Sequence, residues 1–162
     1  LDLSTGGYAA FDHRPEFDLG QRLSVECWVK FDQPGTMPIV FSCGHWNQAG
    51  WFLQKIGGGW RWHVGGIDCD GGRPEMGKWL HVVGTYDGVT ARLYQDGRLV
   101  AEKAGSPILA PWKGPLHAGQ YGAPGPEFQV TGAIRGLKTY SRILPPQDVA
   151  AAAKASALPG KP

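Results

Sequence analysis

The chain has 162 residues, of which 19% are charged and 42% hydrophobic, with 25 glycines and 13 prolines, a composition that suits one globular domain rich in turns and poor in long-helix formers. Its formal charge of +2, from Lys and Arg dispersed along the chain, excludes the electrostatic footprint of a nucleic-acid binder. No apolar run approaches the roughly 18 residues of a membrane span, and residue 1 starts inside what reads as a strand rather than a signal peptide.

Short alternating segments follow one another: Gly7 to Phe11, Leu23 to Phe31, Ile39 to Cys43, Trp51 to Ile56, Trp60 to Val64, Trp79 to Tyr86, Thr90 to Gln95, Leu99 to Glu102, Leu116 to Gln120 and Gly132 to Tyr140. Gly, Pro and Asp-Gly punctuate them, which predicts an all-β fold, a sandwich of two antiparallel sheets. Asp87-Gly88 and Asp96-Gly97 supply the positive φ of tight hairpin turns, giving a meander of strands from Trp79 to Glu102. One short C-terminal helix is predicted over about residues 145–158. Pro145 and Pro146 suit its start, Asp148 complements its dipole, and Pro159 and Gly160 stop it.

The stretch GWFLQKIGGGWRWHVGGIDCDGG, Gly50 to Gly72, packs three tryptophans beside glycines, a histidine and two acids. Gly57 to Gly59 read as a three-residue hairpin loop, pairing Ile56 with Trp60, Gln54 with Trp62 and Phe52 with Val64. Phe52, Gln54, Ile56, Trp60, Trp62 and Val64 then form the core face, and Trp51, Leu53, Lys55, Arg61 and His63 a mixed outer face. Trp46 and Asn47 precede the strand in the polar loop CGHWNQAG, where recognition residues tend to sit.

Metal chemistry finds little support. Asp68-Cys-Asp70-Gly71-Gly72 lacks the third acid and closing Glu of a calcium loop, so a turn or a sugar contact is the preferred reading. Cys43, His45, His63 and Cys69 lack the spacing of a zinc site. The three cysteines form no CxxC; Cys27 reads as a small buried hydrophobe, with a Cys27 to Cys43 bridge left open. His81, mid-strand, reads as structural. Two facing carboxylates, as glycoside hydrolysis needs, are not written here: Glu26 stands alone in its strand, and no G-x-S-x-G elbow occurs.

LSVECWVKF, KWLHVVGTYDGVTARLYQDGRLVAEKAG, PLHAGQYG and GAIRGLKTYSRILPPQDVAA, taken in order, resemble the laminin-G-like, concanavalin A-like jelly-roll domains of secreted bacterial proteins. The resemblance spans nearly the whole chain and rests on W-x-H-V-x-G-T-Y-D-G (Trp79 to Gly88), L-Y-x-D-G (Leu93 to Gly97) and G-x-I-x-x-L-K-x-Y-x-R-x-L (Gly132 to Leu144). It implies one jelly-roll domain over residues 1–162, binding carbohydrate or mediating adhesion as an accessory to a larger polysaccharide-active protein such as a glycoside hydrolase or sulfatase, in an extracellular or periplasmic setting. Relatives often hold a structural calcium, but the ligand positions read Gly6, Gly7 and Arg135 here, which removes carboxylates and adds an opposing charge. No cofactor is expected.

Sugar rings stack their C–H faces on aromatics, and their hydroxyls need planar polar partners. The expected site is therefore His45, Trp46, Asn47, Gln48, Trp51 and His63, the loop residues Asp68, Asp70 and Arg73, and Gln120 with Tyr121. The expected partners are a glycan or polysaccharide and a fused or adjacent catalytic domain. A protein-interaction domain that buries the same surface against a partner enzyme is the alternative, and a glycan-cleaving enzyme a lesser one.

Overall fold

The computed structural model describes residues 1–17, 22–106, 110, 112–123 and 125–155. Along them run β1 (Ala9–Phe11), β2 (Leu23–Phe31), β3 (Ile39–His45), β4 (Ala49–Ile56), β5 (Gly59–Val64), β6 (Ile67–Gly71), β7 (Leu80–Tyr86), β8 (Thr90–Gln95), β9 (Arg98–Ala104), β10 (Leu116–Ala118), β11 (Gly132–Tyr140) and the helix α1 (Pro146–Ala155). They form two antiparallel sheets, one of six strands in the order β1-β10-β3-β4-β5-β6 and one of five in the order β11-β2-β7-β8-β9. This is the expected jelly-roll sandwich with its short C-terminal helix. Residues 156–158 of the predicted helix, with the stop at Pro159 and Gly160, lie outside the described residues.

The predicted strands form with ends displaced by a residue or two, and one strand was not predicted. Ile67–Gly71, read as a loop, is β6, paired with β5 from Val64↔Ile67 to Trp60↔Gly71. Asp and Gly are poor strand formers. The strand is imposed by the turn before it, where Gly65 and Gly66 both have positive φ (51° and 99°), the condition for a two-residue hairpin.

The same chemistry corrects the hairpin register. Gly57 and Gly58 have φ of 57° and 83°, so the loop has two residues rather than three, and Gly59 already pairs with Ile56. Leu53 therefore faces Trp62, and Trp51 faces Val64. A slip of one residue exchanges the faces of β4: Trp51 and Leu53 turn inward beside Trp60 and Trp62, while Phe52 and Gln54 turn outward beside Arg61 and His63. Trp60 and Trp62 occupy the core as expected. Trp51, expected on the outer face, is 3% exposed and packs edge-on against Phe41.

Trp62 joins the sheets. Its indole N–H donates to the Thr85 carbonyl of β7 at 3.1 Å, and its ring lies where a Cβ on Gly84 would come within 2.5 Å of it. Trp60 packs against Phe31 of β2 and donates to Gln95 Oε1 at 3.0 Å. Each such indole withdraws roughly 200 Å² from water, worth about 5 kcal/mol at about 25 cal/mol per Å². Cys27 is a free thiol buried in this core, so the bridge to Cys43 left open by the sequence is not made; burial pushes its thiol pKa well up. Helix α1 covers the far face of the five-stranded sheet, where Val149 joins Val83, Tyr94 and Leu144.

That far face also holds a buried polar network. Glu26 of β2 accepts from His81 Nε2 of β7 at 3.2 Å and from the Tyr140 hydroxyl of β11 at 2.7 Å, with Lys138 Nζ at 3.5 Å. Burial alone would push the Glu26 carboxyl up, but these two hydrogen bonds and the Lys138 charge outweigh it and bring its pKa from 4.5 to about 2.

Two outcomes follow from this packing. Trp51→Ala should cost about 3–5 kcal/mol in urea unfolding, whereas Trp46→Ala, at a side chain 52% exposed, should leave the midpoint within about 0.5 kcal/mol. Because the folded Glu26 carboxyl ionises below the unfolded one, its contribution of about 3 kcal/mol is complete above pH 4.5 and is lost as pH falls toward 2. Unfolding midpoints followed across that window should fall more steeply for the wild type than for Glu26→Gln.

Candidate functional site

The outer face of the six-stranded sheet carries a second, smaller aromatic cluster. Ile39 of β3 and Phe52 of β4 are covered by Tyr121, with Phe128 packed beside them. Tyr121 meets Phe52 edge-on at 5.6 Å and Phe128 at 5.0 Å between centroids. Between this cluster and the β3–β4 loop opens a groove of about 360 Å³. It is lined by Phe52, Gln54 and Ile39 of the strands, by Tyr121 and Phe128, by Trp46 and Gln48 of the β3–β4 loop, and by Arg61.

The loop that carries Trp46 is built for position. Asn47 has a positive φ of 56°, a conformation Asn tolerates better than most residues, so the chain reverses within three residues between His45 and Ala49, which are paired. The ring of His45 is held between Trp112 and Tyr121, at 4.6 and 5.0 Å. The backbone N–H of Trp46 donates to the Tyr121 hydroxyl. Its indole is left half exposed above the groove. Gln54 donates to the Met37 carbonyl at 3.1 Å, which fixes the plane of its amide.

Beside the groove, β5 and β6 present a charged lattice. Arg61 makes a two-pronged pair with Asp70, Nε to Oδ1 and Nη2 to Oδ2, both at 2.8 Å, and its Nη1 lies 3.2 Å from Asp68. Asp68 also accepts from His63 Nδ1 at 2.6 Å, while His63 Nε2 accepts the Gly66 N–H at 3.3 Å. An acceptor role at Nε2 and a donor role at Nδ1 define the neutral imidazole. Burial lowers the His63 pKa, and the Asp68 carboxylate only partly opposes it. The ring is stacked on Phe52 at 4.4 Å and 9°.

The structure thus gathers His45, Trp46, Gln48 and Tyr121 at one groove, with Asn47 at the tip of its loop. Asp68 and Asp70 stand on the adjacent strand and reach the groove through Arg61. His63 lies buried beneath that lattice rather than at the surface. Trp51 belongs to the core. Gln120 is wholly buried, its amide donating to the Gly125 carbonyl at 3.2 Å and accepting the Tyr121 N–H at 2.8 Å, so it fixes Tyr121 rather than lining the groove. Arg73 lies apart, with Gln95, Asp96 and Arg98 in a separate depression. The sequence reading missed Phe52, Gln54 and Arg61. The signal was the i, i+2 spacing of Arg61 and His63 set against that of Asp68 and Asp70 across Gly-Gly, a cross-strand charge match.

The positions at which the resemblance would put calcium supply no ligands for the ion. Gly6 and Gly7 bring no side-chain oxygen, and the Arg135 guanidinium lies 4.4 Å from the centroid of Trp79 and 5.4 Å from that of Trp28. Among the described residues no group of three or more His, Cys, Asp or Glu is placed to hold a metal. Glu26, ionised down to about pH 2, keeps no proton to give in the range where a glycosidic general acid works.

A family model described as the concanavalin A-like lectin/glucanases superfamily matches residues 3–150. No functionally curated protein is close enough in sequence to count as a relative. Among solved structures, the chain is similar to the heptameric SAP-like pentraxin of Limulus polyphemus (19% identity, TM-score 0.66, covering 82% of this chain and 70% of that one). It is also similar to domain 4 of AbnA, an extracellular arabinanase of Geobacillus stearothermophilus, in complex with arabinotriose (20%, 0.64, 82% and 66%). A third likeness is to Trypanosoma rangeli sialidase in complex with sialic acid (18%, 0.74, 96%), of which the chain spans only 27%. At such identities the likeness is one of fold.

The protonation equilibrium of His63 is open to direct measurement. Its imidazole NMR titration should have a midpoint below the ordinary 6.5, and lower still in Asp68→Asn, which removes the carboxylate that opposes burial. A midpoint at or above 6.5 would contradict the arrangement.

Proposed function

As the chain belongs to the concanavalin A-like lectin/glucanase superfamily, we propose that it is a non-catalytic carbohydrate-binding module whose ligand lies in the groove lined by Trp46, Tyr121 and Arg61. The observation that carries this reading is the presence of an exposed indole, held by its own backbone, and planar polar side chains in the lining of one groove of about 360 Å³. That volume suits one or two sugar rings. The indole offers a face to ring C–H groups; Gln48, Gln54 and Arg61 offer donors and acceptors to hydroxyls. The similarity to an arabinanase domain in complex with arabinotriose supports the ligand class.

The non-catalytic part of the reading rests on the carboxylates. Asp68 and Asp70 share one strand and are bound by one guanidinium, whereas hydrolysis wants two carboxyl groups facing each other across a glycosidic bond, one of them protonated. An accessory role beside a catalytic domain, in an extracellular or periplasmic protein, fits the same family reading. No helix is long and apolar enough to cross a membrane among the described residues.

Titration calorimetry of oligosaccharides selected on a glycan array tests the site. Trp46→Ala should weaken binding by about tenfold or more with stability retained, and Tyr121→Phe by a smaller factor, through loss of the hydroxyl that holds the Trp46 backbone. Binding indifferent to both changes would remove the groove as the site. Absence of glycan binding, joined with capture of a neighbouring enzyme domain that Trp46→Ala abolishes, would favour the docking alternative.

A further inference from the structure

The groove is aromatic and amide-rich, and the arginine in its lining is not available as a free charge. Among the described residues that line it, Arg61 is the only Lys or Arg. Two of its five N–H groups donate to one carboxylate, Nε and Nη2 to Asp70, both at 2.8 Å, and Nη1 forms an ion pair with Asp68 at 3.2 Å. The guanidinium and the two carboxylates together carry a formal charge of minus one. What remains to a ligand is three N–H bonds and the outward lone pairs of Asp70, whose side chain is 49% exposed. Those are the partners of a hydroxyl, which both donates and accepts. A carboxylate or sulfate, which only accepts, meets a guanidinium already neutralised and a carboxylate at close range.

We infer that Arg61, Asp68 and Asp70 act as a charge filter on this groove, so that it takes uncharged sugars and rejects uronic acids, sialic acids and sulfated sugars. The inference rests on the glycan reading of the groove and deepens it by naming the class of glycan. Asp70 is its specificity-determining residue. It supplies half of the neutralisation through a two-pronged pair, and it stands on the edge strand of its sheet, where a ligand longer than the groove would extend over it. Discrimination of this kind works through repulsion as well as fit.

The test is a glycan array at about pH 8, where free imidazoles are neutral, and about 0.15 M salt. Neutral oligosaccharides are printed beside the same backbones carrying uronate, sialic acid or sulfate, and the hits are followed by calorimetry. Neutral members should bind, and their charged counterparts about tenfold or more weakly. Asp70→Asn, an isosteric change at an exposed side chain, leaves Arg61 facing one carboxylate and should narrow that ratio several-fold. Neutral affinity should change little between about 0.05 and 0.5 M salt, because no net ion pair forms with it. Charged counterparts that bind as well as neutral ones, or a ratio that Asp70→Asn leaves unmoved, would overturn the filter while leaving the groove a glycan site. Failure of every glycan to bind would overturn both readings.

Discussion

The pairing of Leu53 with Trp62 is the contact on which the six-stranded sheet depends. It follows from a turn of two residues, Gly57 and Gly58, both at positive φ, whose backbone twist matches that of the strands it joins. With that turn in place, Trp51, Trp60 and Trp62 all point between the sheets, where each withdraws roughly 200 Å² from water. Moving β4 by one residue would turn Trp51 and Leu53 outward and place Gln54 in the core without its bond to the Met37 carbonyl. The cost, an exposed indole and a buried unpaired amide, is several kcal/mol. One register is therefore far below its neighbours in free energy, and the same register puts Phe52, Gln54, Arg61 and His63 on the outer face.

From that face the groove is assembled by stacking. Phe52 carries His63 on one side and Tyr121 at its edge, and Tyr121 in turn touches His45 and Phe128. Tyr121 and Phe128 come from the segment after β10 and meet rings of β3, β4 and β5 far earlier in the sequence, so the groove exists only once the chain has folded. The Tyr121 hydroxyl, by accepting the Trp46 N–H, links this cluster to the loop that projects the exposed indole. A side chain whose backbone is already fixed loses less entropy when it meets a ligand. Gln120, buried beneath, holds Tyr121 in turn through its backbone N–H.

How much of this could be read in the sequence depends on which spacing carried the information. The strands were legible because alternation of apolar and polar residues has period two whatever the register, and Asp96-Gly97 marked its hairpin plainly, with both residues at positive φ in the structure. The face of Trp51 was not legible. It turned on whether Gly59 belonged to the loop or to the strand, and three glycines in a row carry no side-chain pattern to decide it. Strand β6 was hidden for a related reason, since its alternation of Ile67, Cys69 and Gly71 inward with Asp68 and Asp70 outward resembles an acidic turn. Loop residues fared differently: His45, Trp46 and Gln48 were found by composition, because an exposed Trp among polar residues is chemically conspicuous. Phe52 and Gln54 needed the register.

The two aspartates show why residue type at a spacing is an incomplete statement of chemistry. Acids at i and i+2 in a loop would converge on a cation; in a strand they share one face and meet whatever the neighbouring strand presents. Here the neighbour presents Arg61 and His63, so Asp70 is taken up by a guanidinium and Asp68 is divided between that guanidinium and an imidazole. The exchange acts in both directions. The acids lose the free lone pairs a calcium ion would require, and the arginine loses the net charge that would make it an anion site. It keeps its plane, its orientation and three N–H groups, fixed by two hydrogen bonds to Asp70 and an ion pair with Asp68. A charged side chain has thereby become, at the mouth of an aromatic groove, a rigid and electrically compensated hydrogen-bond donor, which is what recognition of a hydroxyl-bearing, uncharged molecule asks of it.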